Sequence, residues 1–445
     1  AKDVDIPLQY GIDQCVGDTL CAGGIMYGQR GISALLDFCA DIREVCEPGA
    51  LLLNYANPMA MMTWAANKYG GVRCVGLCHG VQHGHQQIAE VIQLLVNQGV
   101  VPAVGGDGKA GLDRDGKPLP AGFIKVSKKE VDIICAGINH QTWYITAKYQ
   151  GEDWTPRLLE GFRRHPEFSK TEKVRIDMLE RFGFYSTESN GHLSEYLAWY
   201  RKRPEQIKDW IDLGVWINGE TGGYLRICTE GRNWFETDFP NWLKEPAKVY
   251  GADTRSEEHG SWILEALETG RVYRGHFNVV NGNTITNLPP DAIVEVPGYV
   301  DRNGINIPRV GDLPLGAAAV CNQSIAVQRL AVEAAVHANL EYLRQALLLD
   351  PLTGAVCNPP EVWQLADDLL IAEAEWLPRW QSVIASSRRR QEAARQAGTR
   401  LAVREGATGA ARLAVKTVAE MSANAAAERE RAAATDKAKA RPAAG

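Results

Sequence analysis

The alternation of short apolar runs with helical segments restricts the possible folds of this chain more than any other feature. Residues 31–47 carry apolar side chains at helical spacing, and Gly49 follows as a stop signal. A further helical stretch follows Pro58, and another helix is predicted over about 86–95. Three apolar runs have the length of buried strands: 51–55, 72–77 and 131–138. This order predicts an α/β fold, in which ligands bind beyond the carboxyl ends of the strands.

A change of composition divides the rest of the chain. Residues 99–125 are rich in glycine and proline and are predicted to form a long exposed loop. Farther along, amphipathic helices are predicted over 322–349 and 361–384. The final segment is rich in Ala, Arg and Glu, has few large apolar side chains and is expected to be partly disordered. We therefore predict an α/β domain, an α+β domain and a tail, over 1–135, 136–385 and 386–445.

Composition excludes several classes of protein. The net charge of −6 and the isoelectric point of about 5.9 argue against a nucleic-acid partner, which would require a basic surface. No apolar run reaches the ~18 residues of a membrane-spanning helix, and the first residues lack the apolar region of a signal peptide. The ten cysteines include no Cys-x-x-Cys pair, so we predict reduced, mostly buried thiols in a cytoplasmic protein.

A thiol and several imidazoles follow the second predicted strand. Cys78 comes directly after it, and three histidines follow at 79, 83 and 85. Cysteine and histidine both ligate transition metals, although this spacing is not that of a zinc finger. His140 comes after the run at 131–138, and one Cys with one His would leave a metal open positions for a substrate. The alternative is a buried cysteine, a core histidine and surface histidines.

Two shorter segments carry polar or flexible residues near the predicted strand ends. Pro58 favours an extended backbone at Asn57, whose side chain could then face a cleft, although a simple helix cap is the alternative. The pair Gly23-Gly24 would permit a close approach of the backbone to a ligand, which is a weak signal by itself. Both segments are therefore candidate parts of a binding site.

The segment 187–196 places several polar groups within about two helical turns. Glu188, His192 and Glu195 could share one face of a helix. The alternative is a helix start capped by Ser189 or by Asn190.

Blocks of this sequence, in the same order, resemble those of glycoside hydrolase family four, in the branch of the bacterial α-galactosidases that cleave melibiose. The similarity extends from about residue 8 to about residue 378. The blocks that carry it are 18–19, 23–25, 54–61, 75–82, 135–140, 187–189, 195–196, 287–289 and 300–305.

The resemblance implies a Rossmann-like NAD-binding domain followed by an α+β domain like the C-terminal domain of lactate dehydrogenase. It also implies glycoside hydrolysis by a redox-elimination route, with NAD and Mn²⁺ as cofactors. NAD takes a hydride from sugar carbon 3, a base removes the acidified proton at carbon 2, and the glycosidic oxygen leaves. Water then adds and the hydride returns, while the metal stabilises the negative charge that develops. A homo-oligomer, dimer or tetramer, is expected.

The same resemblance suggests roles for the residues at the strand ends. Cys78 and His140 are similar to the metal ligands of the family. Asp18 is similar to a carboxylate that contacts the sugar, and Asn57 to a residue that contacts both substrate and cofactor. The metal would lie against the sugar oxygens on carbons 2 and 3.

The acid and the base are less directly indicated. His79 stands where relatives that act on phosphorylated sugars carry an aspartate, so it is the candidate general acid and favours a non-phosphorylated α-galactoside. Glu188 and His192 are the candidates for the base region, and Gly23 with Gly24 are candidates for cofactor contact.

One departure from the family pattern concerns the cofactor. No Gly-x-Gly-x-x-Gly occurs before residue 31, and the match begins roughly a hundred residues into the family pattern, so most of the NAD-binding half is expected to be missing. An inactive fragment is therefore one alternative. Others are an α-glucosidase or α-uronidase of the same family, and a simple NAD-dependent dehydrogenase. The loop at 99–125 also looks longer than the connection in the family.

Overall fold

The computed structural model describes residues 1–103, 111–247, 249, 251, 254–424 and 426–427. Its strands are β1 (Leu51–Asn54), β2 (Arg73–Gly76), β3 (Val131–Ile138), β4 (Gln141–Tyr149), β5 (Glu152–Asp153), β6 (Tyr185–Ser186), β7 (Tyr273–Val280), β8 (Ile293–Asp301) and β9 (Gly304–Asn306). The helices of the first half are α1 (Lys2–Gln9), α2 (Cys21–Val45), α3 (Met59–Ala65), α4 (Gly80–Val96), α5 (Leu158–Arg164), α6 (Phe168–Thr171), α7 (Lys173–Phe182), α8 (Asn190–Tyr196) and α9 (Ile207–Trp210). Those of the second half are α10 (Gly223–Thr237), α11 (Phe239–Trp242), α12 (His259–Thr269), α13 (Leu315–His337), α14 (Leu340–Leu349), α15 (Pro351–Val356), α16 (Pro359–Ala372) and α17 (Gln381–Gln396).

One mixed sheet joins the strands in the order β1-β2-β7-β8-β3-β4-β5, with β6 beside β4 and β9 beside β8. The predicted α/β fold is confirmed, but among the strands named here only β1 and β2 pair in parallel. The other strand pairs are antiparallel, and β4, β5 and β9 each follow their neighbour through a short connection. The sheet crosses the domain boundary proposed at residue 135, which lies within β3.

The middle of the sheet is buried on both faces. Alternate residues of β3 belong to separate hydrophobic clusters: Ile133 and Cys135 pack with α4 and α5, whereas Ala136 and Ile138 pack with α2, α3 and α13. Eight of the ten cysteines are buried, as predicted, and all ten are unpaired. No helix in the part of the chain described here is long and apolar enough to cross a bilayer.

The two long helices predicted near the C-terminus are each broken, so those predictions were wrong in extent. The first divides into α13 and α14 at Ala338, which has a left-handed φ of 48°, and the Asn339 side chain then accepts the Tyr342 N–H as a helix cap. The second ends at Ala372, and two short 3₁₀ turns, one of them starting at Pro378, precede α17.

The segment after residue 385 is more ordered than its composition predicts. It continues α17 to Gln396 and then returns along the N-terminal region. The Arg404 N–H donates to the carbonyl of Gln9, and the Ala410 N–H donates to the Asp13 carboxylate (2.8 Å). Backbone hydrogen bonds and ion pairs thus hold a segment that buries little apolar surface. Residues 425 and 428–445 of the predicted tail, and residues 104–110 of the predicted loop, lie outside the described residues.

The contact of α4 with β4 can be tested at Gly84. A Cβ at this buried position would overlap the hydroxyl of Tyr144, which donates to the Val81 carbonyl (2.6 Å). We expect Gly84→Ala to lower the free energy of unfolding by about 1–3 kcal/mol in urea denaturation. The matched control is Gly231→Ala in the exposed part of α10, where no heavy atom lies within 4 Å. The control should raise stability by up to about 1 kcal/mol. Equal stability of the two variants would contradict the packing described.

Candidate active site

A cavity of about 510 Å³ lies where loops from both halves of the chain meet. Seven of the predicted site residues line it: Asp18, Asn57, Cys78, His79, His140, Glu188 and His192. Residues that follow β1, β2 and β3, namely Asn57, Cys78 and His140, therefore face one common space. The two predicted cofactor glycines, Gly23 and Gly24, are not among the lining residues.

Three potential metal ligands converge inside this cavity. The Cys78 Sγ, a His140 ring nitrogen and a Glu188 carboxylate oxygen all lie within 4.8 Å of one another. The distance from Cys78 Sγ to Glu188 Oε2 is 3.9 Å, and that from His140 Nε2 to the same oxygen is 3.8 Å. Sulfur, nitrogen and oxygen donors in one pocket suit a divalent transition metal and leave further positions open.

Two hydroxyl groups contact the other ring nitrogen of His140. Its Nδ1 lies 3.1 Å from the Thr19 hydroxyl and 3.4 Å from the Tyr196 hydroxyl. These contacts orient the ring so that Nε2 points towards Glu188, as is usual for a metal-binding imidazole. Burial lowers the pKa of His140, which favours the neutral form that binds a metal.

The route by which Cys78 meets His140 differs from the prediction. The two residues follow β2 and β3, but these strands are not neighbours, since β7 and β8 lie between them. A continuous row of paired residues links the strands: Gly76, Asn278, Glu295 and Gly137. Because β3 pairs antiparallel with β8, the rule for parallel strand ends does not explain the meeting. The antiparallel hairpin β7–β8 sets the separation instead.

Burial disfavours the charged forms of Cys78 and Glu188 in this cluster of candidate ligands. Burial, with the nearby Glu188 carboxylate, raises the pKa of the Cys78 thiol well above its usual range. Burial also raises the pKa of Glu188, but His140 and His192 outweigh it and hold that pKa below the usual range. A bound divalent cation would stabilise the thiolate and invert this preference.

A second group of polar side chains lies beside the ligands. The Asn57 amide donates to Asp18 Oδ2 (2.8 Å), and His192 Nε2 lies 3.6 Å from Asp18 Oδ1. Burial opposes the ionisation of Asp18, yet the nearby imidazole of His192 lowers its pKa to about 2. Burial likewise opposes the charge on His192, but Asp18 and then Glu188 raise its pKa to about 9. At neutral pH His192 is therefore an imidazolium that lies between the carboxylates of Asp18 and Glu188.

This charge state separates the two candidates for the base region. A protonated His192 cannot accept a proton, whereas Glu188 is ionised and its Oε1 lies 3.7 Å from His192 Nδ1. The expected helix cap is also present, since the Ser189 side chain accepts the His192 N–H. The helix cap is thus confirmed, and the role of Glu188 in the base region stays a prediction.

His79 lies at the mouth of the cavity. It precedes the first turn of α4, and its Nδ1 is 3.5 Å from Glu258 Oε1, with both side chains about half exposed. Its ring centre is 4.8 Å from that of His83. The position leaves the imidazole free to reach a ligand from the solvent side, and its role as an acid stays a prediction.

Two sequence groupings change in the structure. Glu195 does not face the cavity with Glu188 and His192, but accepts hydrogen bonds from the backbone behind it. Gly23 and Gly24 lie buried in the first turn of α2, where a Cβ on Gly24 would meet the Thr19 carbonyl carbon at 2.5 Å. The close approach that glycine permits is thus to the turn carrying Asp18, and a cofactor contact stays a prediction.

Other lining residues were not singled out from the sequence. Glu172, the residue before α7, and Arg175 in its first turn form a buried ion pair (3.0 Å). Trp216 and Tyr224 bring two aromatic rings, 5.7 Å apart, to the cavity wall. Such faces suit the apolar sides of a sugar.

Fold and site together define an α/β enzyme with a candidate Cys–His–Glu metal centre in a polar cavity. Residues 1–94 match the family described as family 4 glycosyl hydrolase, and residues 135–353 match the family 4 glycosyl hydrolase C-terminal domain. The chain is 53% identical over 434 residues to an α-galactosidase of Rhizobium meliloti (strain 1021), covering 97% of this chain and 81% of that protein. The chain therefore belongs to glycosyl hydrolase family 4, and the predicted family is confirmed.

More distant relatives and solved structures agree with this assignment. An α-galactosidase of Bacillus subtilis (strain 168) is 32% identical, covering 85% of this chain and 78% of the relative. A glucosidase structure from Bacillus subtilis has a TM-score of 0.65 at 25% identity, over 83% of this chain and 80% of that one. A 6-phospho-β-glucosidase of Thermotoga maritima, solved with manganese, NAD⁺ and glucose-6-phosphate, has a TM-score of 0.61 at 19% identity, over 84% and 77%. This last likeness concerns the fold alone.

The ligand cluster predicts that Cys78 is required for metal binding. Cys78→Ser should raise the Kd for Mn²⁺ by at least about tenfold, because serine is not a thiolate donor. Equilibrium dialysis of the protein against MnCl₂ would measure this value. Cys228→Ser, at an exposed cysteine of α10, is the matched control and should leave the Kd unchanged. Unchanged Mn²⁺ binding in Cys78→Ser would exclude the site.

Proposed function

We propose that this chain is an α-galactosidase that acts on non-phosphorylated α-galactosides with NAD and Mn²⁺. The convergence of Cys78, His140 and Glu188 beside the Asn57–Asp18 pair carries the proposal. The identity to α-galactosidases supports the sugar, since it is 53% and 32% for these relatives but 26% for an α-galacturonidase of Lachnoclostridium phytofermentans.

The donor set fits a divalent metal. Cys78 and His140 would hold it, with Glu188 as a further ligand or as an acceptor beside it. When bound, Mn²⁺ would stabilise negative charge on the sugar oxygens and NAD would accept hydride from carbon 3. The neutral His140 and the ionised Glu188 are already in the protonation states that a metal requires.

The residues around the metal ligands would bind and orient the sugar. Asp18 is ionised and accepts from Asn57, so the two together offer an acceptor and an amide to sugar hydroxyls. His192, held as an imidazolium by Asp18, would stay a donor. Glu188 is the better candidate to accept a proton, and His79 at the solvent side is the candidate to deliver one to the leaving oxygen.

This chain provides part of the surroundings that an NAD-binding site needs. The carboxyl ends of the parallel strands β1 and β2 lead to Asn57 and His79 in the cavity, which is the side on which dinucleotide-binding sheets face their ligand. Among the described residues, the first strand is β1, which follows α2. We assign to Asn57 the contact of this cavity with the cofactor.

The assembly and location are further parts of the proposal. Large apolar side chains are exposed on α10 and α11, including Phe235, Trp242 and, just beyond, Leu243. Exposed aromatic groups of this kind support a homo-oligomer, which we propose is a dimer or a tetramer. The unpaired thiols, including the metal ligand candidate Cys78, support a reducing, cytoplasmic location.

The proposed activity is tested directly with p-nitrophenyl α-galactoside. We expect release of p-nitrophenol that requires NAD, Mn²⁺ and a thiol reductant, without net formation of NADH. A panel of α-glucosides and α-galacturonides separates the alternatives within the family, and a simple dehydrogenase would instead accumulate NADH. Release that persists in EDTA, or no release with both cofactors present, would contradict the proposal.

The role of His79 predicts a dependence on the leaving group. Protonation assists a poor leaving group far more than p-nitrophenolate, so His79→Gln should lose about 10²-fold or more in kcat/KM with melibiose. The loss with p-nitrophenyl α-galactoside should be about tenfold or less. His337→Gln, at a histidine on α13 outside the cavity, is the control. Equal losses on the two substrates would remove His79 from the role of acid.

A further inference from the structure

A buried carboxylate behind the cavity holds the backbone that leads to Asp18. Glu195 lies on α8 and is fully buried. Its Oε2 accepts the N–H groups of Cys15 (2.7 Å) and Val16 (3.1 Å), and its Oε1 accepts that of Gly17 (3.3 Å). Three consecutive backbone N–H groups that donate to one side-chain carboxyl group form a directional anchor for this segment.

The anchored residues end immediately before Asp18. From there the Asp18 carboxylate enters the cavity and accepts from Asn57 Nδ2 (2.8 Å) and Thr19 Oγ1 (2.9 Å). The side chain of Cys15 also contacts the carbonyl of Trp216 at 3.6 Å, which joins the anchored segment to the aromatic wall. A displacement of this segment would therefore move Asp18 relative to the metal ligands.

Helix α8 carries both His192, which lies beside the Asp18 carboxylate, and Glu195, which contacts the backbone before Asp18. His192, the partner of Asp18, lies three positions before Glu195 on α8. The helix thus presents His192 to the Asp18 carboxylate and Glu195 to the backbone preceding it. Because both contacts arise from one rigid element, the distance between Asp18 and His192 is fixed.

We propose that Glu195 is a positioning residue, which holds Asp18 at the sugar by accepting the N–H groups of residues 15–17. The inference rests on the proposed function, in which Asp18 binds sugar hydroxyls. Glu195 itself does not line the cavity and touches no substrate.

Glutamine is the informative substitution at this position. Both carboxylate oxygens of Glu195 accept N–H groups, so the amide of Glu195→Gln must place its own NH₂ against a backbone donor. The side chain keeps its size while the anchor is weakened. Galactose binding in the presence of Mn²⁺, measured by isothermal titration calorimetry on the full chain, should weaken by about tenfold in this variant. The Kd for Mn²⁺ should stay within about threefold of the wild type, since no ligand is altered.

A double variant tests whether the effect acts through Asp18. If it does, Glu195→Gln combined with Asp18→Asn should bind galactose no more weakly than Asp18→Asn alone. Losses that multiply, or a galactose Kd in Glu195→Gln within about twofold of the wild type, would overturn the proposal. Glu195→Asp keeps a carboxyl group with two acceptor oxygens and should recover part of the affinity. It also serves as the test variant if Glu195→Gln does not fold.

The matched control is Asp367→Asn. Asp367 is another buried carboxylate, held by Ser387 and Arg390 among the C-terminal helices and away from the cavity. It should reduce thermal stability without weakening galactose binding. A loss of galactose binding in this control equal to that in Glu195→Gln would show a general structural effect and overturn the proposal.

Hydrogen exchange separates this inference from the proposed function. Protection of the amides of residues 15–17 should fall in Glu195→Gln and stay unchanged in Asp367→Asn. If the wild-type protein binds no galactose, the proposed function fails, and the exchange measurement still tests the anchor. Unchanged protection of residues 15–17 in Glu195→Gln would overturn the inference in either case.

Discussion

The contact among the Cys78 thiol, the His140 imidazole and the Glu188 carboxylate, all within 4.8 Å, is the interaction around which the rest of the site is arranged. Burial disfavours the charged forms of all three groups, so such a cluster needs compensation from its surroundings. His140 and His192 provide it for Glu188, whereas the thiol keeps a raised pKa. A divalent cation among these donors would favour the thiolate form of Cys78.

Neighbouring carboxyl groups differ in protonation because their partners differ. Asp18 faces His192 and ionises readily, with a pKa of about 2. Burial raises the pKa of Glu195 to about 7 and that of Glu295 to about 8, although backbone N–H groups or Asn139 donate to them. Asp18, which lies beside the imidazole of His192, is thus ionised and faces the cavity. Glu195 and Glu295 lie behind the cavity and accept hydrogen bonds from protein N–H groups. Carboxyl side chains thus occur both in the cavity and behind it, and their electrostatic environments differ.

Much of the fold could be predicted where the signal is local. The runs at 51–54, 73–76 and 131–138 are strands, and Ser189 caps a helix as its position before 190–196 indicates. The long helix expected over 322–349 failed at Ala338, because apolar spacing continues through a break that depends on a left-handed residue and an asparagine cap. The contacts of residues 404 and 410 with Gln9 and Asp13 could not be predicted, since contacts between distant segments leave no trace in composition.

The sequence by itself was enough to name the candidate site residues, because Cys78, His79, His140, Glu188 and Asn57 each stand at or beside the end of a locally recognisable element. Only the tertiary structure decided how they meet. The hairpin β7–β8 enters between β2 and β3, and it is the register of these strands that aligns Gly76 with Gly137 across the sheet. The tertiary structure also decided that Glu188 lies beside Cys78 and His140, whereas Glu195 accepts hydrogen bonds from the backbone before Asp18. Pairing between distant segments depends on packing in three dimensions, which the periodicity of a single segment does not encode.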